Sequence, residues 1–179
     1  GVNIGLATFN DYPKTGFTTI KEYDRVLDLK LMDTTNENAL NAAIDALTTE
    51  SNYDVPESQL TALHAVAGLS GYDPMTFRVN STRIIVLWTD SDFKDEGMFL
   101  YSGPTWAETV AALKAKNIKV VGLYGDTLAS SDLNKIAEET GALAGPSGLD
   151  CNGPFQWGGQ TINPAGPLVC KYSGVDFNG

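Results

Sequence analysis

Residues 51–60, SNYDVPESQL, bring Asn52, Asp54 and Glu57 within six positions of one another, with Pro56 between the two acids. Carboxylate, amide and main-chain carbonyl oxygens are the hard donors that magnesium and calcium take. A further acid, Asp90, directly follows the apolar run 83–89, RIIVLWT, in the stretch WTDSDF. Ligands of open α/β sheets gather outside the carboxyl ends of the strands, so Asp90 is expected to face such a crevice. A plainer account has Asp54 capping a helix, Glu57 complementing its dipole and Asp90 starting a turn. On spacing alone the plainer account is the stronger.

Other chemistries find less support. Neither G-x-G-x-x-G nor G-x-x-x-x-G-K-S/T occurs, so there is no phosphate-cradling loop of either kind. The G-x-S-x-G nucleophile elbow is also absent. His64, the single histidine, lies between Ala62 and Ala65 and reads as a packed or boundary residue instead of a catalytic base. Asp54 and Glu57 resemble a glycosidase acid–base pair only in residue type, since no aromatic-lined groove accompanies them. The expectation is a binding protein and not an enzyme.

The elements that must hold these residues follow from periodicity. Residues 2–9, VNIGLATF, and 25–31, RVLDLKL, read as strands able to pair antiparallel across the loop NDYPKTG. Asn36 is placed to cap a helix through about residue 47, with Leu40, Ala43, Ile44 and Leu47 as its inner face. A second helix is expected over 56–67, with Pro56 in its first turn and Leu60, Leu63 and Ala67 inward. The run 83–89 lacks polar alternation and reads as a central parallel strand covered on both faces. Thr105 to Glu108 has capping-box spacing, followed by the stripe Trp106, Val110 and Leu113. Residues 118–124, IKVVGLY, supply the next strand, making a βαβ unit. A last helix starts at Ser131 or Asp132, buries Leu133, Ile136 and Ala137, and stops at Gly141. The fold expected is α/β: a doubly wound, mostly parallel sheet with helices on both faces and an antiparallel edge strand. It occupies residues 1–145, and 146–179 form an irregular Gly/Pro-rich tail.

The 179 residues suit a single core. With 12 basic and 22 acidic residues the net charge is −10, which repels nucleic acid and anionic lipid. The longest apolar run, 84–88, is strand-sized, so no membrane insertion by this segment is expected. Cys151 and Cys170 bracket 18 residues, and a disulfide between them is expected, the alternative being two separate buried thiols. Asn80-Ser81-Thr82 is an N-glycosylation acceptor triplet, although such triplets also arise by chance. Bridge and triplet together point to an extracellular, secreted or cell-surface setting. The sequence opens at Gly1 without Met or a leader, as a mature or excised segment does.

SNYDVPESQLTAL, VNSTRIIVLWTDSDF and WAETVAALKAKNIKVVGLYG, in that order, resemble the von Willebrand factor type A fold, most closely the I-like domain of integrin β subunits. VNIGLATFNDYP is similar to that family's second strand and following loop, and the likeness covers roughly residues 1–145. The resemblance implies that Glu57 faces a metal-ion-dependent adhesion site and a neighbouring cation site. It implies that Asn52, Asp54 and the Pro56 carbonyl coordinate the neighbouring ion, and that Asp90 supports the adhesion-site magnesium directly or through water. Magnesium, with calcium as the second ion, would then dock a carboxylate of a protein partner.

The chain departs from that pattern. The family's Asp-x-Ser-x-Ser motif is absent from the sequence. Its strand is expected before Gly1, unless another segment fills the gap or the metal site has been lost. The connection between the first two strands is short and lacks cysteine, which argues against an integrin α-type partner. Phe155 and Trp157 of the tail either cover the sheet edge or offer a contact surface in an assembly. The alternative function is therefore a structural subunit of an extracellular fibre or matrix, self-assembling without a metal-bridged ligand.

Overall fold

The computed structural model describes residues 1–11, 21–48, 56–98, 101–125, 129–144 and 166–171. Asn52, Asp54, Cys151, Phe155 and Trp157 lie outside them. The protein is mixed α/β and packs as two compact units, one of residues 1–81 and 93–116, the other of 82–92 and 117–179.

In the first unit β1 (Asn3–Thr8) and β2 (Asp24–Leu31) pair antiparallel, as expected. A polar clasp ties β2 to the segment beyond the helices. Arg25 forms an ion pair with Asp73 and donates to the Pro74 carbonyl, while Thr76 N–H donates to Asp28 (2.9 Å). Tyr23 donates to the Asp73 carbonyl and meets Tyr72 edge-on, and burial pushes its hydroxyl pKa up to about 12.

α1 (Thr34–Asp45) is capped by Asp33, whose carboxylate accepts from Asn36 N–H (2.9 Å), so the cap lies three residues before the expected Asn36. Its inner face also differs from expectation: no α1 residue is buried, Ile44 is exposed, and Leu47 falls beyond the helix, exposed as well. α1 rests along β2 and β1, and a two-stranded ribbon is too narrow to cover a helix face.

α2 (Gln59–Ala67) begins later than expected, which leaves Pro56 outside the helix. Glu57 is instead bridged to Phe93, and that extended pairing prevents a helical turn at 56–57. α2 is apolar nearly all round and nearly all buried, as such a helix must be. It packs on α3 (Trp106–Ala115), whose capping box between Thr105 and Glu108 is formed and whose Val110 and Leu113 are buried.

In the second unit β3 (Arg83–Thr89) and β4 (Ile118–Tyr124) pair in parallel along their whole length, and β7 (Val169–Lys171) joins β4 in parallel. The order β3-β4-β7 makes β4 the central strand among the described residues, and β3 an edge, contrary to expectation. β3 is also not covered on both faces: Leu87 and Thr89 are buried, whereas Ile84, Val86 and Trp88 are 52, 60 and 45% exposed. An unbroken apolar run makes two-sided burial possible but cannot supply the second layer.

α4 (Ser130–Thr140) packs on β4, burying Leu133, Ile136 and Ala137, and ends at Gly141 in the left-handed conformation that suits glycine. Gly122 permits this approach, because a Cβ there would sit 3.0 Å from Leu133 Cβ and 3.1 Å from Val169 Cγ1. β5 (Leu143–Ala144) pairs antiparallel with β6 (Gly166–Pro167). Thus residues 166–171, expected to be irregular, contribute two short strands.

Candidate functional site

In the first unit Glu57 is held by its main chain. Its carbonyl accepts from Lys94 N–H (2.7 Å), and the next residue, Ser58, donates its N–H to the Asn10 carbonyl (3.1 Å). The Ser58 hydroxyl turns to the Glu22 carbonyl (2.7 Å) and so does not cap α2. Glu57 stands one residue ahead of the N-cap residue Ser58, outside the first turn of α2. Glu57 and Pro56 are both half-buried.

Beside this strand-like pairing lies a feature sequence reading missed. Lys94 Nζ contacts both carboxylate oxygens of Asp11, at 2.6 and 2.8 Å, with the two side chains only 1 and 5% exposed. Lys94 thus holds Glu57 through its backbone and Asp11 through its side chain, joining three segments of the unit. No local pattern announces the pair, since its members are 83 residues apart.

In the second unit Asp90 follows β3 directly and is exposed. Ser91 N–H donates to Thr89 Oγ1 (3.2 Å), turning the chain sharply at the strand's carboxyl end. Asp92 is half-buried there. Its burial, and then the negative charge of Asp132 in the first turn of α4, raise its pKa above the ordinary carboxylate value. Asp90, Asp92 and Asp132 therefore make this end of the unit acidic; from sequence Asp92 had no role and Asp132 only that of a helix start. Proximity of 92 to 132 arises only because β4 returns the chain to the end where β3 finishes.

The donors named for cations are all oxygen donors, a set that fits magnesium or calcium by its chemistry. Among the described residues no group of three or more His, Cys, Asp or Glu side chains is placed to hold a metal ion. Glu57 belongs to the first unit and Asp90 to the second.

His64 is half-buried on α2, and its buried Nδ1 makes no hydrogen bond among the described residues. Burial lowers its pKa below 6.5, opposed by the charge of Glu108 on α3. Cys170 is half-buried in β7 and disulfide-bonded, and Cys151 is the only other cysteine in the sequence. Among the described residues no helix is long and apolar enough to cross a membrane. No family model matches this chain, and no curated protein matches it.

Proposed function

We propose that this protein is an extracellular adhesion module with a von Willebrand factor A-like fold, and that it binds a carboxylate of a protein partner through a divalent cation. The observation carrying this reading is the acidic carboxyl end of the parallel strands: Asp90 exposed at the end of β3, and two residues on Asp92, which feels the charge of Asp132. That is where open α/β sheets take ligands, and a cation is what concentrated carboxylates attract. Asp90 is assigned to support magnesium. Glu57, Asn52, Asp54 and the Pro56 carbonyl are assigned as further oxygen donors, with calcium as the second ion. The ion's chemistry is to accept the partner's carboxylate oxygen, while the protein orients donors and holds Glu57 by the Lys94 contact. No catalytic step is assigned.

The test is calorimetric titration of the metal-stripped protein with magnesium and then calcium, alongside Glu57→Ala and Asp90→Ala. Saturable binding lost in both folded variants is expected. Unchanged binding in both would remove the assignment.

A second reading, self-assembly into a fibre or matrix, draws on the exposed apolar side chains Ile84, Val86 and Trp88 along β3. Assembly that persists in excess chelator would favour it over the cation-bridged contact.

A further inference from the structure

The turn entering β3 carries the one Asn-x-Ser/Thr triplet in the sequence, Asn80-Ser81-Thr82. Among the described residues Asn80 (φ 57°) and Asn117 (φ 53°) are the only non-glycine residues in the left-handed region. Asparagine tolerates that conformation, which by itself explains Asn117, followed by Ile118-Lys119. It does not explain Thr82.

The side chains distinguish a structural asparagine from an acceptor. An asparagine recruited for its turn usually spends its side-chain oxygen on a backbone N–H two residues on. Asn80 is exposed and its side chain makes no hydrogen bond with the described residues, and the same holds for Thr82. Only the middle residue is engaged, Ser81 donating its hydroxyl to the Arg78 carbonyl (2.8 Å). The turn therefore anchors itself through Ser81 and leaves both the amide and the hydroxyl of the acceptor triplet facing solvent. Beside them Val79 is 84% exposed, an apolar side chain that nothing described covers.

We propose that Asn80 carries an N-linked glycan, and that this glycan shelters Val79 at the entry to β3. The glycan donor is a polyprenyl-diphosphate-linked oligosaccharide. Asn80 Nδ2 attacks the anomeric carbon, the bond from that carbon to the diphosphate oxygen breaks, and the diphosphate leaves with the electron pair. The amide keeps one hydrogen and gives the other as a proton to a base of the transferase. At about 3.3 Å per residue along a strand, Thr82 stands about 26 Å from Asp90, so the glycan occupies the end of β3 away from the acidic residues. The proposal does not rest on cation binding.

The test is to secrete the full chain from cultured eukaryotic cells behind a secretion signal and record intact mass before and after peptide-N-glycosidase. A glycan-sized increment is expected, removed by the enzyme, with an acid left in place of the Asn80 amide. Thr82→Ala should lose the increment while keeping the asparagine and its turn, and Asn80→Gly should lose it while keeping the left-handed backbone. Ser81→Ala should retain it. Unmodified secreted chain, or an increment that survives Thr82→Ala, would overturn the assignment.

Discussion

At the residue scale the Lys94–Asp11 pair governs how firmly the backbone beside Glu57 is held. Both charges are almost fully withdrawn from water, so either one left alone faces the desolvation penalty without its partner. Asp11→Ala is expected to lower unfolding free energy by about 3–5 kcal/mol in urea titrations. The double variant Asp11→Leu, Lys94→Met should recover most of that loss, because two apolar groups leave no buried charge uncompensated. Failure of the double variant to recover would mean that the pair has a role its apolar replacements cannot fill. His64 sets a second, pH-dependent contribution. Burial disfavours its imidazolium, so its folded pKa lies below 6.5 and the unfolded chain binds the proton more readily. Stability from this group is therefore complete above pH 6.5 and declines as pH falls through 6.5 towards the folded value. His64→Gln should flatten that part of the stability–pH curve, measured as the difference between the two proteins across pH 5 to 7 at about a half-unit spacing.

At the element scale β3 shows why an apolar run is not a burial pattern. Residues of a strand alternate between faces, and on β3 the face bearing Ile84, Val86 and Trp88 is exposed while Leu87 and Thr89 point inward. Val86→Asp therefore introduces a charge that water can reach, and its expected effect on urea midpoint corresponds to about 1 kcal/mol or less. Val120→Asp lies at a fully buried position on β4 and should prevent folding. Circular dichroism of the two variants distinguishes an edge β3 from a central one: comparable unfolding by both would restore the central placement. α1 makes the same point for helices, since its Leu40, Ala43 and Ile44 repeat at helical spacing yet none is buried.

At the scale of the whole molecule the tail has a structural task that its composition conceals. β7 is the third strand of the parallel sheet, and Cys170 within it is disulfide-bonded. A bridge closing a loop of this length restricts the unfolded chain by about 3 kcal/mol in the loop-entropy estimate. Reduction should thus lower the melting temperature, and blocking of both thiols with an alkylating agent should appear in the intact mass only after reductant. Equal melting with and without reductant would mean that β7 holds its place on β4 without the crosslink. The cation titration and chelator experiments belong to this scale too, since partner docking and self-assembly are properties of the whole surface.

Strand and helix identity was readable in the chain because it depends on short-range spacing and residue type: the alternation of β2, the Thr105 capping box, the β3 and β4 runs and the Gly141 stop are all local signals. Boundaries slipped where a distant residue intervened. Phe93 drew Glu57 into an extended bridge and delayed α2 to Gln59, and Asp33 rather than Asn36 met the first free amides of α1. The oxygen-donor character of Asn52, Asp54, Glu57 and Asp90 is likewise a matter of residue type, legible without coordinates. What tertiary structure alone decided was which faces are covered, that residues 166–171 complete a sheet, that Asp92 feels Asp132, and that Lys94 reaches Asp11. Each depends on contacts between segments far apart in sequence, and such contacts leave no periodic trace in either segment.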